Sequence, residues 1–204
     1  SSRYPRFLEY YSRITETIVF TQNWKTSPRN YETTTEPTIT IPVSDGITLD
    51  GTMVRPKTSE PGPVLLSAQA YPKEDQYTDL IPEGFSHTRG HMEAGDSEFF
   101  ARRGYGHIII NVRGTGASGG TYDNLGARSI QDICEVIARI AEQDWCDGNV
   151  GMFGMSYFAI VQNLVAAKNP PALKAIFAPF AYTDMYRDRY YHGGILSHGF
   201  MKMR

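Results

Sequence analysis

A chain of 204 residues with 41% hydrophobic and 21% charged side chains has the make-up of an ordinary globular domain, with enough apolar material to bury a sizeable core. Its 20 basic and 22 acidic residues leave a formal charge of -2 and form no basic run, so nucleic acid is not an expected partner. Cys134 and Cys146 make neither a disulfide framework nor a metal spacing and read as small apolar fillers. The most apolar window, 150–167, is broken by Ser156, Gln162 and Asn163, which makes it a poor membrane span. The start, SSRYPRFLEYYSRITE, holds no secretory apolar segment, and a cytoplasmic location is the expectation.

Residues 1–36, rich in aromatics and hydroxyls, read as an arm packed on the body. Two alternating runs follow, Thr38 to Val43 and Ile47 to Val54, joined by a hairpin turn at Ser44-Asp45-Gly46. Val64 to Ala68 predicts a buried strand that ends at Tyr71. The long polar stretch 72–95 is too long for a plain connector and suggests part of a site. Asp96 to Arg103 predicts a short helix stopped by Gly104. The three isoleucines in His107 to Val112 predict a central strand, followed by the glycine-rich loop RGTGASGG at 113–120. The next helix is expected to start near Ser129, with Asp132 completing a capping-box variant and Ile130, Ile133, Cys134, Ile137 and Ile140 on its buried face. Asp147-Gly148 turns the chain into another apolar run. The helix 157–168 is expected to bury Ile160, Val161, Leu164 and Val165 before Pro170-Pro171 ends it. Lys174 to Phe180 predicts a last strand.

This alternation from residue 64 onward predicts an α/β fold with a mostly parallel sheet covered by helices on both faces. Sites in such sheets form at the carboxyl ends of strands, and Tyr71, Arg113 and Ser156 each follow a predicted strand end. The stretch NVGMFGMSYFAIVQNLVAA, 149–167, has the form of a nucleophile elbow. Gly154 stands two residues before Ser156 and Ala159 three after it, which leaves room for a strained strand-to-helix turn that presents the serine hydroxyl.

Other patterns point elsewhere and are weaker. Gly114, Gly116 and Gly119 spell a dinucleotide-like fingerprint, but TYDNLGARS separates them from any helix start, so no pyrophosphate site and no cofactor is expected. His87 and His91 stand four apart near Glu93, yet Gly84 and Gly90 argue against the rigid helix face a metal pair needs, so no metal is expected. A serine nucleophile needs a histidine base oriented by an acid. After Ser156 the chain offers only Asp184, Asp188, His192 and His198, crowded together with no further strand and helix between them.

Taken together, Tyr71, RGTGASGG, WCDGNVGMFGMSY and IFAPFAYTDMYRD resemble the N-terminal part of the cocaine esterase and X-Pro dipeptidyl-peptidase family, the CocE/NonD hydrolases. The resemblance covers roughly residues 38–200 and includes DGITLDGTMVRP and the passage FFARRGY. It implies an α/β-hydrolase fold that is incomplete in this chain, with the hydrolase domain over 37–181 and the start of a helical cap over 182–204. It also implies Ser156 as nucleophile, with the Tyr71 hydroxyl and the Tyr157 backbone N–H as oxyanion hole. Asn111 stands where the family usually has Asp.

The function so implied is a serine hydrolase that cleaves a small ester, amide or peptide through an acyl-enzyme. Its acid and histidine would come from a second chain or a missing C-terminal part. Asp184 and Asp188 are candidates for holding a substrate ammonium, against the plainer reading of a solvated charge pattern with Arg187 and Arg189. The sheet edge after 174–180 would need covering, which raises a homo-oligomer as an expectation. The alternative function is a non-catalytic hydrolase-like domain used for binding or assembly.

Overall fold

The computed structural model describes residues 27–71 and 93–199. The arm's residues 1–26, the histidines His87 and His91 and most of the long polar stretch lie outside the described residues. Six strands form one mixed sheet: β1 (Thr33–Pro42), β2 (Thr48–Pro56), β3 (Gly62–Gln69), β4 (Gly106–Asn111), β5 (Cys146–Phe153) and β6 (Leu173–Phe177). Their order across the sheet is β1-β2-β4-β3-β5-β6. β2 runs antiparallel to both β1 and β4, and β3 to β6 are parallel to one another. Among the described residues, three helices connect the parallel strands: α1 (Ser97–Ala101), α2 (Ala127–Ala141) and α3 (Tyr157–Ala166).

β4 lies at the centre because both of its faces can be buried. All six of its residues are buried. Ile108 and Ile110 join the main core with Leu66, Met152 and the apolar stripe of α2, while Ile109 faces the other way and meets Ala94 and Phe158. The helical period of α2 places Ile130, Ile133, Val136, Ile137 and Ile140 in that core, each worth about 1.5–3 kcal/mol when fully buried. Cys134 is half-buried on the same helix and Cys146 is buried at the start of β5; both are free thiols.

Several boundaries differ from the sequence expectation. β1 starts at Thr33, inside the stretch assigned to the arm, because the strand continues through an irregularity between Glu36 and Ile39. Pro37 sits in that bulge, where its missing N–H costs no ladder bond and its carbonyl accepts from Thr52 Oγ1 at 3.0 Å. Asp147-Gly148 is likewise a bulge within β5, not a turn before it: Gly62 pairs with Cys146 and Val64 with Val150, and Gly148 has φ +83°. α2 starts at Ala127, two residues before Ser129. The carboxylate that serves its first turn is Asp123, which accepts from the Ser129 N–H and hydroxyl, while Asp132 points to arginines. β6 ends at Phe177, short of Phe180.

In α3, Leu164 is exposed while Tyr157, Phe158 and Gln162 are buried with Ile160, Val161 and Val165. Beyond β6 the chain forms a single π-type turn, Tyr186–Tyr190, and a two-stranded hairpin, β7 (Tyr191–His192) with β8 (Ile195–Leu196). No helix among the described residues is long and apolar enough to cross a membrane.

Candidate active site

The chain leaves β5 at Phe153, passes Gly154 and Met155, and enters α3 immediately after Ser156. Ser156 has φ 60° and ψ -121°, a backbone conformation that costs a non-glycine residue about 1–3 kcal/mol. The surroundings over-determine it. The Met155 N–H donates to the Glu93 carbonyl at 3.0 Å, the Ser156 N–H donates to the Pro179 carbonyl at 3.3 Å, and the Ser156 carbonyl accepts from the Ala159 and Ile160 N–H groups at 3.0 Å. With Ala159 and Ile160 both bonded to Ser156, the helix beginning at Tyr157 leaves the N–H groups of Tyr157 and Phe158 without an intrahelical acceptor, Tyr157 first.

Gly154 is required on two counts. Its φ is +135°, and a Cβ there would lie 2.6 Å from Phe158 Cβ. Phe158, bulky in the sequence pattern, is fully buried and fills that space. Gly154→Ala should therefore destabilise the fold by about 3 kcal/mol, from overpacking added to backbone strain, read as a lower denaturant midpoint at unchanged slope. An unchanged midpoint would show that the turn relaxes without cost.

Gln162 is a residue of this region that sequence reasoning missed, having read it as a polar break in an apolar window. Its side-chain Nε2 donates to the carbonyls of Gly154 at 3.0 Å and Phe158 at 3.1 Å, tying the turn to the second turn of α3. A glutamine six residues after the serine in an otherwise apolar helix was the available signal.

Tyr71 follows β3, half-buried, and packs edge-to-face on the Tyr157 ring with centroids 6.2 Å apart. The structure thus brings these two residues together beside the serine turn. Burial raises the Tyr157 hydroxyl above the ordinary tyrosine range, with Tyr122 and Asp123 adding to the effect, so it stays protonated at any physiological pH.

Arg113, by contrast, turns away. Its Nε donates to Asp132 Oδ2 at 2.7 Å, and its Nη2 to Asp45 Oδ2 at 2.7 Å and Asp132 Oδ1 at 3.1 Å. This clamps the β1–β2 hairpin to α2. The glycine loop that follows is stitched to β2: the Gly119 N–H donates to the Thr48 carbonyl at 2.9 Å, and Ser118 Oγ accepts from the Asp50 N–H at 2.8 Å. A Cβ on Gly116 would lie 2.2 Å from Asn111 Nδ2, which gives this glycine a packing reason. Asn111 itself is buried and donates to Asp50 Oδ2 at 3.0 Å, so a carboxylate does stand at this point, contributed by β2.

Asp184 and Asp188 lie beyond β6, and their carboxylates serve their own turn. Asp188 Oδ2 accepts from the N–H groups of Thr183 and Asp184 and from the Thr183 hydroxyl, at 3.0 to 3.2 Å. Those backbone bonds, Asp184 first, hold its carboxyl below the usual aspartate range. Asp184 Oδ1 accepts from the Tyr186 and Arg187 N–H groups at 2.9 and 3.0 Å. His192 Nε2 contacts the Asp188 carbonyl within the same segment.

The sheet order, its parallel half and its helices on both faces define the α/β-hydrolase class. The chain belongs to the X-Pro dipeptidyl-peptidase (S15) family, whose profile matches residues 45–203. It is 35% identical over 161 residues to the cocaine esterase of Rhodococcus sp. (strain MB1 Bresler), covering 78% of this chain and 26% of that protein. A putative Xaa-Pro dipeptidyl-peptidase of Bacillus anthracis is 30% identical over 114 residues, which cover 50% of this chain and 19% of that protein. Among solved structures, a CocE/NonD family hydrolase from Staphylococcus aureus superposes with a TM-score of 0.69 at 32% identity, covering 78% of this chain and 30% of that one. The chain thus spans about a quarter of the curated esterase it matches.

Proposed function

We propose that Ser156 is the nucleophile of a serine hydrolase that cleaves an ester or amide through an acyl-enzyme. The observation that carries this reading is the strained serine backbone, φ 60° and ψ -121°, held at the strand-to-helix turn where the first N–H of α3 opens. In the reaction, Ser156 Oγ attacks the carbonyl carbon of the substrate while a histidine base takes its proton. The resulting oxyanion is met by the Tyr157 N–H and the Tyr71 hydroxyl, donors worth several kcal/mol when they are aimed at developing charge. Loss of the alcohol or amine leaves the acyl group on Ser156, and water then releases it as the acid.

The histidine and its acid are supplied by polypeptide beyond these 204 residues. Two findings support this: the relatives are several times longer, and His192 is engaged with the carbonyl of Asp188 in its own turn. Asp184 and Asp188 are assigned to shaping that turn. The names of the relatives, a cocaine esterase and a putative Xaa-Pro dipeptidyl-peptidase, support a small ester or peptide as the substrate class.

A fluorophosphonate probe should label Ser156 in the full-length protein and leave the isolated 204-residue chain unlabelled. Failure to label the full-length protein would remove Ser156 as nucleophile, and full-rate labelling of the isolated chain would remove the external base.

A further inference from the structure

A buried polar relay behind the serine turn has no part in the chemistry above. His107 on β4 is 1% exposed, and its ring bridges two serines: Nε2 lies 3.0 Å from Ser67 Oγ on β3, and Nδ1 lies 2.8 Å from Ser97 Oγ at the start of α1. Ser67 Oγ in turn donates to the Phe153 carbonyl at 2.7 Å. The direction of these bonds follows from proton counting. A carbonyl only accepts, so the single Ser67 hydroxyl proton goes to Phe153, and Ser67 must accept from His107. His107 therefore carries a proton on Nε2, and in the neutral ring Nδ1 accepts from the Ser97 hydroxyl.

Phe153 is the last residue of β5, and its carbonyl immediately precedes Gly154. The next carbonyl, that of Gly154, is held from the other side by Gln162 Nε2 at 3.0 Å. Two successive peptide oxygens entering the serine turn are thus each fixed by a buried side chain, one from β3 and one from α3. The His107 ring is locked as well, lying edge-to-face on Phe100 with centroids 5.2 Å apart, while Phe100 packs on Phe153 at 4.9 Å.

We propose that His107, acting through Ser67, is a positioning residue for Ser156. Its Nε2–H commits the Ser67 proton to the Phe153 carbonyl, which sets the tilt of that peptide and so the direction in which Gly154, Met155 and Ser156 leave the strand. The inference rests on Ser156 being the nucleophile. Displacement of a reacting group by a fraction of an ångström to 1 Å is enough to lower turnover about 10- to 100-fold.

The test uses the full-length protein, with turnover normalised to the sites titrated by a fluorophosphonate burst. Ser67→Ala and His107→Leu should each lower kcat about 10-fold with KM within about twofold. The double variant should be no worse than either single one, because both cut the same relay. His107→Gln, which keeps a donor near the Nε2 position, should restore most of the turnover. Unchanged kcat in Ser67→Ala, or His107→Gln falling as far as His107→Leu, would overturn the proposal. Nitrogen-15 spectra of the histidine side chains supply a readout independent of turnover and of variant folding: His107 should carry its proton on Nε2, and a proton on Nδ1 alone would overturn the relay. If Ser156→Ala were to leave hydrolysis intact, the catalytic reading would fail while the spectra still reported on the relay.

Discussion

Ser156→Ala in the full-length protein should lower kcat/KM for ester hydrolysis by at least about 10³- to 10⁴-fold, or roughly 4–5.5 kcal/mol of transition-state stabilisation. Substrate affinity measured without turnover should hold, because in the proposed role the hydroxyl contributes to bond making and not to ground-state binding. The same residue should show a trade of stability against activity. At φ 60° and ψ -121° a glycine sits without the Cβ conflict that serine and alanine share, so Ser156→Gly should be more stable than Ser156→Ala by about 1 kcal/mol while equally inactive. A domain retained only for binding or assembly would leave Ser156→Ala without functional effect, and that outcome would favour the binding reading.

Asp132→Ala should be the most damaging of the electrostatic substitutions, at about 3–5 kcal/mol, which corresponds to a fall in Tm on the order of 10 °C. Asp132 is 1% exposed at its side chain and accepts from both Arg113, at 2.7 and 3.1 Å, and Arg128, at 2.7 Å. Removing it strands an Arg113 guanidinium that is only 10% exposed and is otherwise held by Asp45. Glu98→Ala, which breaks an exposed pair with Arg102 at 3.1 Å on α1, should cost less than about 0.5 kcal/mol. Thermal melts of the two variants decide the comparison, and equal shifts would contradict it.

The outer member of the same cluster brings a pH dependence. The Arg113 hydrogen bond, helped by the Ile47 N–H, holds the Asp45 carboxyl below its ordinary value of 3.8. Its contribution to stability is therefore complete above about 3.8 and is lost as pH falls through the lower folded value. The gap in Tm between the protein and Asp45→Asn should close over that acid range; a gap that widened there would reverse the assignment.

Much of the fold is legible in the order of the residues. The alternation in 38–43 and 47–54, the isoleucine run at 108–110 and the 3.6-residue stripe of α2 each follow from burial of one face or two, and each of those elements is present, with β1 and α2 starting earlier than expected. The serine turn was legible for a steric reason: small residues at 154 and 159 are needed where a strand doubles into a helix, and the Gly154–Phe158 contact shows why. The departures share a cause as well. The strand expected from Thr38 reaches back to Thr33, through the stretch assigned to the arm, because Pro37 falls at a bulge where no donor is wanted. Asp132 fitted a capping box by spacing alone, yet two arginines, one from a distant loop, outcompeted a helix-end N–H for it, and Asp123 took over the cap.

By itself, then, the amino-acid order determined the succession of strands and helices, the central place of β4 and the position of a strained serine. Each of these is set by side-chain period, by glycine's backbone freedom or by size, all of which act within a few residues. Only the tertiary structure decided which polar groups go inside. Ser67 meets the Phe153 carbonyl across 86 positions of chain, Asn111 meets Asp50 across 61 and Arg113 meets Asp45 across 68. A buried polar group costs free energy until its partner arrives, and whether a partner lies that far along the chain is a property of strand order and register, which no local pattern carries.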